Sequence, residues 1–407
     1  MRRARGRIHA GGHRPVSLLG RRSGPRAIAV WLTALLLSAA SATAQPDPTV
    51  ARLAVLGPPV AALPAEGLSP PADQPPVPAP SPDPSPPPRA PDPPAPGVGF
   101  GLPKALRATV DALGASSGVP DGVGVAWYPS VPVRGQSAHM GLVNYQAGVT
   151  VPVSTTDTGG WYANGAGRLL SVPTNAALPT DKGKFSAQFW DVQAGGAYLR
   201  ELDSGWSWGV TLNVGSASDR PFNSLREATF SALAFVRKPD GERNGWLFFV
   251  VSTTNGQIGH NIPIPGVAYE SVTERLHAVV GFPFLTIDYR PTQATQFEFT
   301  YAAITDVLAR ASYHLTDHAR LFTEYEWTNQ AWFRADRLRS QDQTFLYQMH
   351  VGSGFGWVVA GVLDLRVTGG YAFDRFFVDN AGLGFQGRNR VVLAPGPFLA
   401  AQLEFKF

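Results

Sequence analysis

From about residue 120 to the C-terminus, apolar and polar residues alternate with a period of two. Leu399, Ala401, Leu403, Phe405 and Phe407 share one side of an extended segment, and Ala400, Gln402, Glu404 and Lys406 the other. Leu363, Leu365, Val367, Tyr371 and Phe373 stand opposite Asp364, Arg366, Thr368 and Asp374. Trp206, Trp208, Val210, Leu212 and Val214 oppose Ser207, Gly209, Thr211 and Asn213. Leu285, Ile287 and Tyr289 oppose Thr286, Asp288 and Arg290, while Phe297, Phe299 and Tyr301 oppose Gln296, Glu298 and Thr300. Successive side chains of a strand point to opposite faces, so each segment reads as a strand with one apolar and one polar face. Candidate strands fall at 123–131, 140–153, 161–172, 185–201, 205–216, 227–238, 245–255, 266–271, 275–282, 284–290, 295–302, 306–315, 318–328, 343–354, 362–376 and 397–407. Pro283 leaves almost nothing between the ninth and tenth, so the pattern supports 12 to 16 strands.

The links alternate in length. Asp203 to Gly205, Thr292 to Ala294 and Thr316-Asp317 are tight, whereas 329–342 and 377–396 are long, and the two kinds fall on opposite ends of the strands. Alternating short turns and long loops, big aromatics on the apolar faces and charges confined to the polar faces distinguish a membrane barrel from a soluble sandwich. The reading is an all-β, transmembrane antiparallel barrel over residues 98–407. Its polar faces offer Asp288, Arg290, Glu298, Arg310, His314, Glu324, Glu326, His350, Asp364 and Arg366 as lumen-lining candidates, with Glu404 and Lys406 beside them. Mixed signs imply crosswise ion pairs and little charge selectivity.

The N-terminal quarter is of another kind. Residues 1–44 hold eight arginines and no acid, then Ala27-Ile-Ala-Val-Trp-Leu-Thr-Ala-Leu-Leu-Leu and a run of small residues ending in Ala42-Thr43-Ala44. That order fits an export signal cleaved after Ala44, leaving Gln45 at the mature N-terminus. The apolar core is too short for the ~20 residues of a membrane-spanning helix. Residues 45–97 carry 20 of the 37 prolines, a composition for an extended, disordered tether with no packed core. Setting the eight leader arginines aside from the 34 basic residues leaves 26 against 30 acidic ones. The basic pI therefore belongs to the leader, and no basic patch remains to bind nucleic acid.

The last strand, with Leu403, Phe405 and a terminal Phe407, resembles that of bacterial outer-membrane β-barrels. The resemblance implies that these three residues form the signal read by the barrel assembly machinery. It also implies residence in outer-membrane lipid of a Gram-negative-type envelope. If the last strand ends in the periplasm, both termini lie there, and the tether is placed to reach cell-wall material. Gly281-Phe-Pro-Phe-Leu, Asp288-Tyr-Arg-Pro-Thr and Ala309-Arg-Ala-Ser-Tyr are similar to an uncharacterised outer-membrane barrel family, a likeness that extends over most of 140–407.

Candidate chemistry adds little. Without cysteine there is no disulfide, thiol nucleophile or Cys-type zinc site. His139, His260, His277, His314, His318 and His350 are scattered and form no His-Glu-x-x-His run, although His314 and His350 could meet Glu324 or Asp364. Gly114-Ala-Ser-Ser-Gly matches the letters of a nucleophile elbow around Ser116, but it follows a short amphipathic stretch at 102–113 and precedes a strand, the reverse of the order such an elbow needs. No catalytic, cofactor or metal residue is assigned. The sequence leaves three readings: a porin-like or solute-binding barrel, a structural anchor reaching the cell wall, and a barrel-rim lipid hydrolase.

Overall fold

The computed structural model describes Val119 and residues 121–256, 262–302, 306–337, 339–359, 361–382 and 387–405. The export signal, the tether, the 102–113 stretch, Ser116 and Phe407 lie outside them. All regular elements among the described residues are strands: β1 (Gly122–Pro132), β2 (His139–Thr156), β3 (Gly159–Ser171), β4 (Gln188–Glu201), β5 (Ser207–Ser218), β6 (Ala228–Asp240), β7 (Asn244–Thr253), β8 (Ile264–Val272) and β9 (Leu276–Phe282), then β10 (Phe284–Tyr289), β11 (Thr295–Ala302), β12 (Asp306–His314), β13 (Ala319–Trp332), β14 (Gln343–Val359), β15 (Leu363–Asn380), β16 (Arg388–Val392) and β17 (Gly396–Phe405).

Each strand from β1 to β15 pairs antiparallel with the next, and β17 closes the ring between β15 and β1. The short β16 pairs only with the far end of β15, so the wall is a closed barrel of 16 staves. Closure leaves no open edge, which is what a sheet needs where no water can satisfy its backbone. Pro283 alone links β9 to β10. The Phe282–Pro283 bond is cis, and Leu285 pairs back onto Val280, so the short link is a hairpin in its own right.

Turns and loops segregate. The links 157–158, 202–206, 241–243, 273–275, 290–294, 315–318 and 360–362 are short and lie on one rim. Gly241 and Gly361 take φ of 76° and 73° in two of them, the left-handed backbone that closes a three-residue hairpin. The links 133–138, 172–187, 219–227 and 333–342 lie on the other rim, with the one-residue Pro283 link as the exception among them. The chain enters the barrel at Asp121 and reaches Phe405 on the short-turn rim, where the Phe405 N–H donates to the Asp121 carbonyl at 2.9 Å.

The outer wall is apolar. Trp161, Trp206, Trp246, Tyr289, Phe297, Tyr313 and Trp357 are exposed near the short-turn rim, and Phe230, Phe282 and Tyr301 near the other. On β4, Trp190 and Tyr198 mark the two ends of this band, eight residues or about 26 Å apart along the strand. At the 35–45° tilt of barrel strands that length spans roughly 20 Å along the axis, within the ~25 Å of a barrel's apolar belt. The alternation breaks in two places. Asp374, expected on the inner face, adopts φ 47° beside a bulge between Tyr347 and Met349; it turns outward and sends Arg375 inward. On β7, Trp246, Phe248 and Val250 face out while Leu247, Phe249 and Val251 face in, so both faces are apolar there.

Two apolar clusters fill much of the interior. Leu233, Phe235, Leu247, Phe249, Val251, Ala268, Val279 and Phe284 pack together inside β6–β10. Near the long-loop rim, the 172–187 loop folds inward and adds Val172, Ala176, Leu178 and Phe185 to a cluster with Phe189, Trp332, Phe377 and Leu393. Phe189 of β4 packs on Trp332 of β13 with ring centroids 5.2 Å apart and the ring planes tilted by 35°. These strands lie seven staves apart around the ring, so the barrel is pinched at this level.

Candidate functional site

Below the pinch, the inner faces of β10–β17 carry a lattice of ion pairs whose members are placed by the period of two and by cross-strand register. Arg310 of β12 sits opposite Glu298 of β11 and Glu324 of β13. Its Nε and Nη2 donate to Glu324 Oε2 at 2.9 and 2.8 Å, and Glu298 lies 3.5 Å from Nη1. Glu326 is directly across from His350, whose Nε2 is 3.1 Å from the carboxylate. Arg320 pairs with Asp364 at 2.8 Å, and Arg366 with Glu404. Asp288 accepts two bonds from Gln296 Nε2 at 3.0 Å, and Gln296 Oε1 is 3.4 Å from His314 Nε2. Arg290 stands on a short turn, largely exposed, 3.5 Å from Asp288. The apolar residues that alternate with them face outward, so the two-residue period turns these side chains inward, Arg290 on its turn aside.

The register brings some of the expected groups together and adds others. His350 meets Glu326 and lies within 4.8 Å of a Glu324 oxygen, while His314 stands beside Gln296. A further triad, Arg237–Glu270–His277, lies on the inner side of β6, β8 and β9, with distances of 2.6 and 3.1 Å. Arg168 of β3 and Asp191 of β4 face each other in register inside the barrel. Their signal in the sequence was the same alternation, obscured in β3 and β4 by glycines and alanines.

These side chains enclose a cavity of about 500 Å³. Its lining includes Arg168, Asp191, Arg310, Glu326, His350 and Arg366, amides such as Gln146 and Gln193, and the rings of Tyr128, Trp332 and Phe398. Ligand atoms of Glu324, Glu326 and His350 all lie within 4.8 Å of one another, close enough to share a cation. Arg310 serves the Glu324 carboxylate and the His350 imidazole that of Glu326. The lattice offers charge and hydrogen bonding to whatever enters the cavity.

Polar bonds also cross the long-loop rim. Asn389 Nδ2 donates to Asp181 and Asp379 at 2.7 Å each, and Arg334 pairs with Asp379 at 3.0 Å and Asp336 at 2.8 Å. Burial pushes the Arg334 guanidinium down, but Asp336 and Asp379 outweigh it and raise its pKa above the usual value. Arg337 reaches Glu227 at 3.2 Å, and both are almost wholly buried. Burial likewise raises the Glu227 carboxyl, but the Ser224 hydroxyl and N–H (2.6 and 2.7 Å) together with Arg337 prevail and hold it below the ordinary range.

Of the expected assembly signal, Leu403 pairs with Val123 and Leu365, and Phe405 with Leu363, on the outer face of β17. Phe407, and the cleavage site at Ala44 and Gln45, are outside the described residues.

No family model matches the chain, so the uncharacterised barrel family suggested by residues 281–313 is not identified. No curated protein matches either. Among solved structures, the β domain of the Bordetella autotransporter BrkA is 12% identical with a TM-score of 0.24, covering 70% of this chain and 99% of that one. An outer membrane channel from Pseudomonas putida F1 is 9% identical with a TM-score of 0.25, covering 70% and 94%. The transport unit of the autotransporter AIDA-I from Escherichia coli is 10% identical with a TM-score of 0.23, covering 74% and 97%. At these identities and TM-scores the likenesses carry no functional argument, and the closed antiparallel barrel rests on the strand pairings of this chain itself.

Proposed function

We propose that this chain is an outer-membrane barrel whose central polar cavity admits small solutes and performs no covalent chemistry. One observation carries the reading: a polar cavity of about 500 Å³ lies inside a closed barrel whose outer wall is an apolar belt with aromatic ends. Such a belt is stable against lipid tails, and a ring of charged side chains has no partner in lipid except inside. Short turns and both ends of the described barrel share one rim, which supports a periplasmic position for both termini. The apolar outer face of β17 supports handling by the barrel assembly machinery.

The test is uptake by proteoliposomes containing the purified mature chain. Entry of sugars or amino acids above the level of empty vesicles is the expected result. Exclusion of every solute, by the wild type and by a variant with residues 334–341 replaced by a short Gly-Ser link, would overturn it.

A structural anchor is the second reading, favoured by the bonds that cross the long-loop rim. In that case the tether would hold cell-wall material, and the barrel would stay shut. Co-sedimentation of the chain with purified cell wall, lost when residues 46–96 are removed, is its signature.

A further inference from the structure

We infer that the 219–227 loop, between β5 and β6, is a docking surface for phosphorylated lipid in the leaflet around the long-loop rim. Phe222 and Leu225 enter the acyl layer, and Arg220 and Arg226 meet headgroup phosphates. The inference rests on the lipid-facing reading of the outer wall and needs neither solute passage nor a cell-wall anchor.

Ser216 sets the course of the loop. On β5, Leu212 and Val214 face outward with 52% and 61% exposure, and the two-residue period puts Ser216 on the same face. Ser216 is nonetheless wholly buried, because the loop doubles back over it. Its hydroxyl donates to the Glu227 carbonyl at 2.9 Å and accepts the Phe222 N–H at 3.2 Å. Residues 222–227 are thereby held against the outside of the wall. Ser218 pairs with Trp190, which marks one end of the apolar band, and Ser216 lies two residues, roughly 7 Å, further into that band. Val214 and Phe230, an exposed pair in register just below, continue the apolar surface.

The side chains of the loop divide by character. Both acids are engaged by the protein. Glu227 accepts the Ser224 N–H and hydroxyl and pairs with Arg337, while Asp219 accepts from the Ser186 hydroxyl at 3.0 Å and the Ala335 N–H at 2.8 Å. The exposed charges of the loop are then both positive, Arg220 and Arg226. Beside them Phe222 is 65% exposed and Leu225 is 93% exposed. Phe222 also holds φ 58°, a left-handed backbone that is costly for a bulky residue, and its exposed ring recovers little of that cost within the chain. Apolar side chains at the edge of a lipid belt gain by leaving water for acyl chains, and segments that set Phe and Leu beside Arg lie in the membrane interface. A guanidinium meets a phosphate with two parallel hydrogen bonds, so the charge of this surface matches an anionic headgroup.

The chain has no cysteine, so Leu225→Cys and Val214→Cys each give a single site for a nitroxide spin label. The purified mature chain, its folding checked by heat-modifiable migration, is placed in phosphatidylcholine vesicles that contain a bisphosphorylated glycolipid. Both labels should be relaxed by oxygen, which partitions into acyl chains, and shielded from a water-soluble nickel chelate. A label at 225 that meets water while the one at 214 meets lipid would overturn the docking surface and leave the lipid-facing wall standing. Both labels in water would overturn the wall itself. Spin–spin broadening at 225 would seat a second copy of the chain there and overturn the lipid assignment. Native mass spectrometry reads the phosphate contact. Wild type should retain the bisphosphorylated glycolipid roughly thirtyfold more strongly than the Arg220→Gln, Arg226→Gln double variant, since each basic residue near an anionic surface contributes several-fold. The dephosphorylated lipid should be held equally weakly by both. Equal retention of the phosphorylated lipid by the two proteins would overturn the role of the arginines.

Discussion

At the scale of single residues, the interior is governed by the cost of leaving a charge alone. Arg310 is served by Glu324 and Glu298, and the Glu324 side chain is only 7% exposed. Were the lumen open and flooded, Glu324→Gln would change ion preference and nothing else. With the pair buried, the substitution leaves Arg310 leaning on a partner at 3.5 Å. Breaking a buried pair typically costs about 3–5 kcal/mol, and Glu298 offsets part of that. Glu324→Gln should therefore lower the urea midpoint of the refolded barrel by more than Glu326→Gln, since Glu326 is 32% exposed. Equal midpoints for the two variants would mean that water, and not Arg310, satisfies Glu324.

Glu227 sets a pH dependence of definite sign. Its folded pKa lies below the ordinary 4.5, so its contribution is fully present above that value and disappears as pH falls through the lowered one. The temperature at which the folded gel band is lost should be higher for wild type than for Glu227→Gln at pH 7. The two should converge as the pH falls through the lowered pKa of Glu227. A gap that does not narrow at all on acidification would assign the effect to packing.

At the scale of elements, alternation chooses a face and a bulge can overrule it. β15 begins with Leu363, Leu365 and Val367 outward, yet past the bulge Arg375 points inward with 1% exposure and Asp374 outward. The hydrophobic pattern alone carries no mark of this shift, because an extra residue on one strand is visible only against its partner. β17 shows no such break, and Leu399, Ala401, Leu403 and Phe405 keep to one face. The two-residue alternation of the sequence groups Phe407 with them and Lys406 with the opposite set. Phe407→Asp should then reduce the amount of assembled barrel far more than Lys406→Asp, measured as heat-modifiable protein in membrane fractions. Equal assembly would show that the terminal aromatic is not read.

At the scale of the whole molecule, the barrel is complete without the proline-rich segment. β17 and β1 close the ring by themselves, with six paired positions from Gly122–Glu404 to Trp127–Leu399. Replacing residues 46–96 by a short flexible linker should leave heat-modifiable migration intact, and N-terminal sequencing of the membrane-bound chain should begin at Gln45. Loss of folding, or retention of Met1, would count against the tether and the export signal respectively.

What the sequence determined by itself is local and periodic. Strand face and hairpin order, and a strand count between 12 and 16, are written in a two-residue period and in the alternation of short and long links, because both depend only on neighbours along the chain. That charged inner faces run along β10–β15 follows from the same period together with the intolerance of lipid for charge. The tertiary structure decided the rest: that His350 meets Glu326, that Phe189 packs on Trp332 across the ring, and that Phe333 bridges to Ser218. No period links residues 115 or 143 positions apart. Their contact depends on the circumference at which the sheet closes and on how far its loops fold into the mouth, and those are properties of the closed barrel.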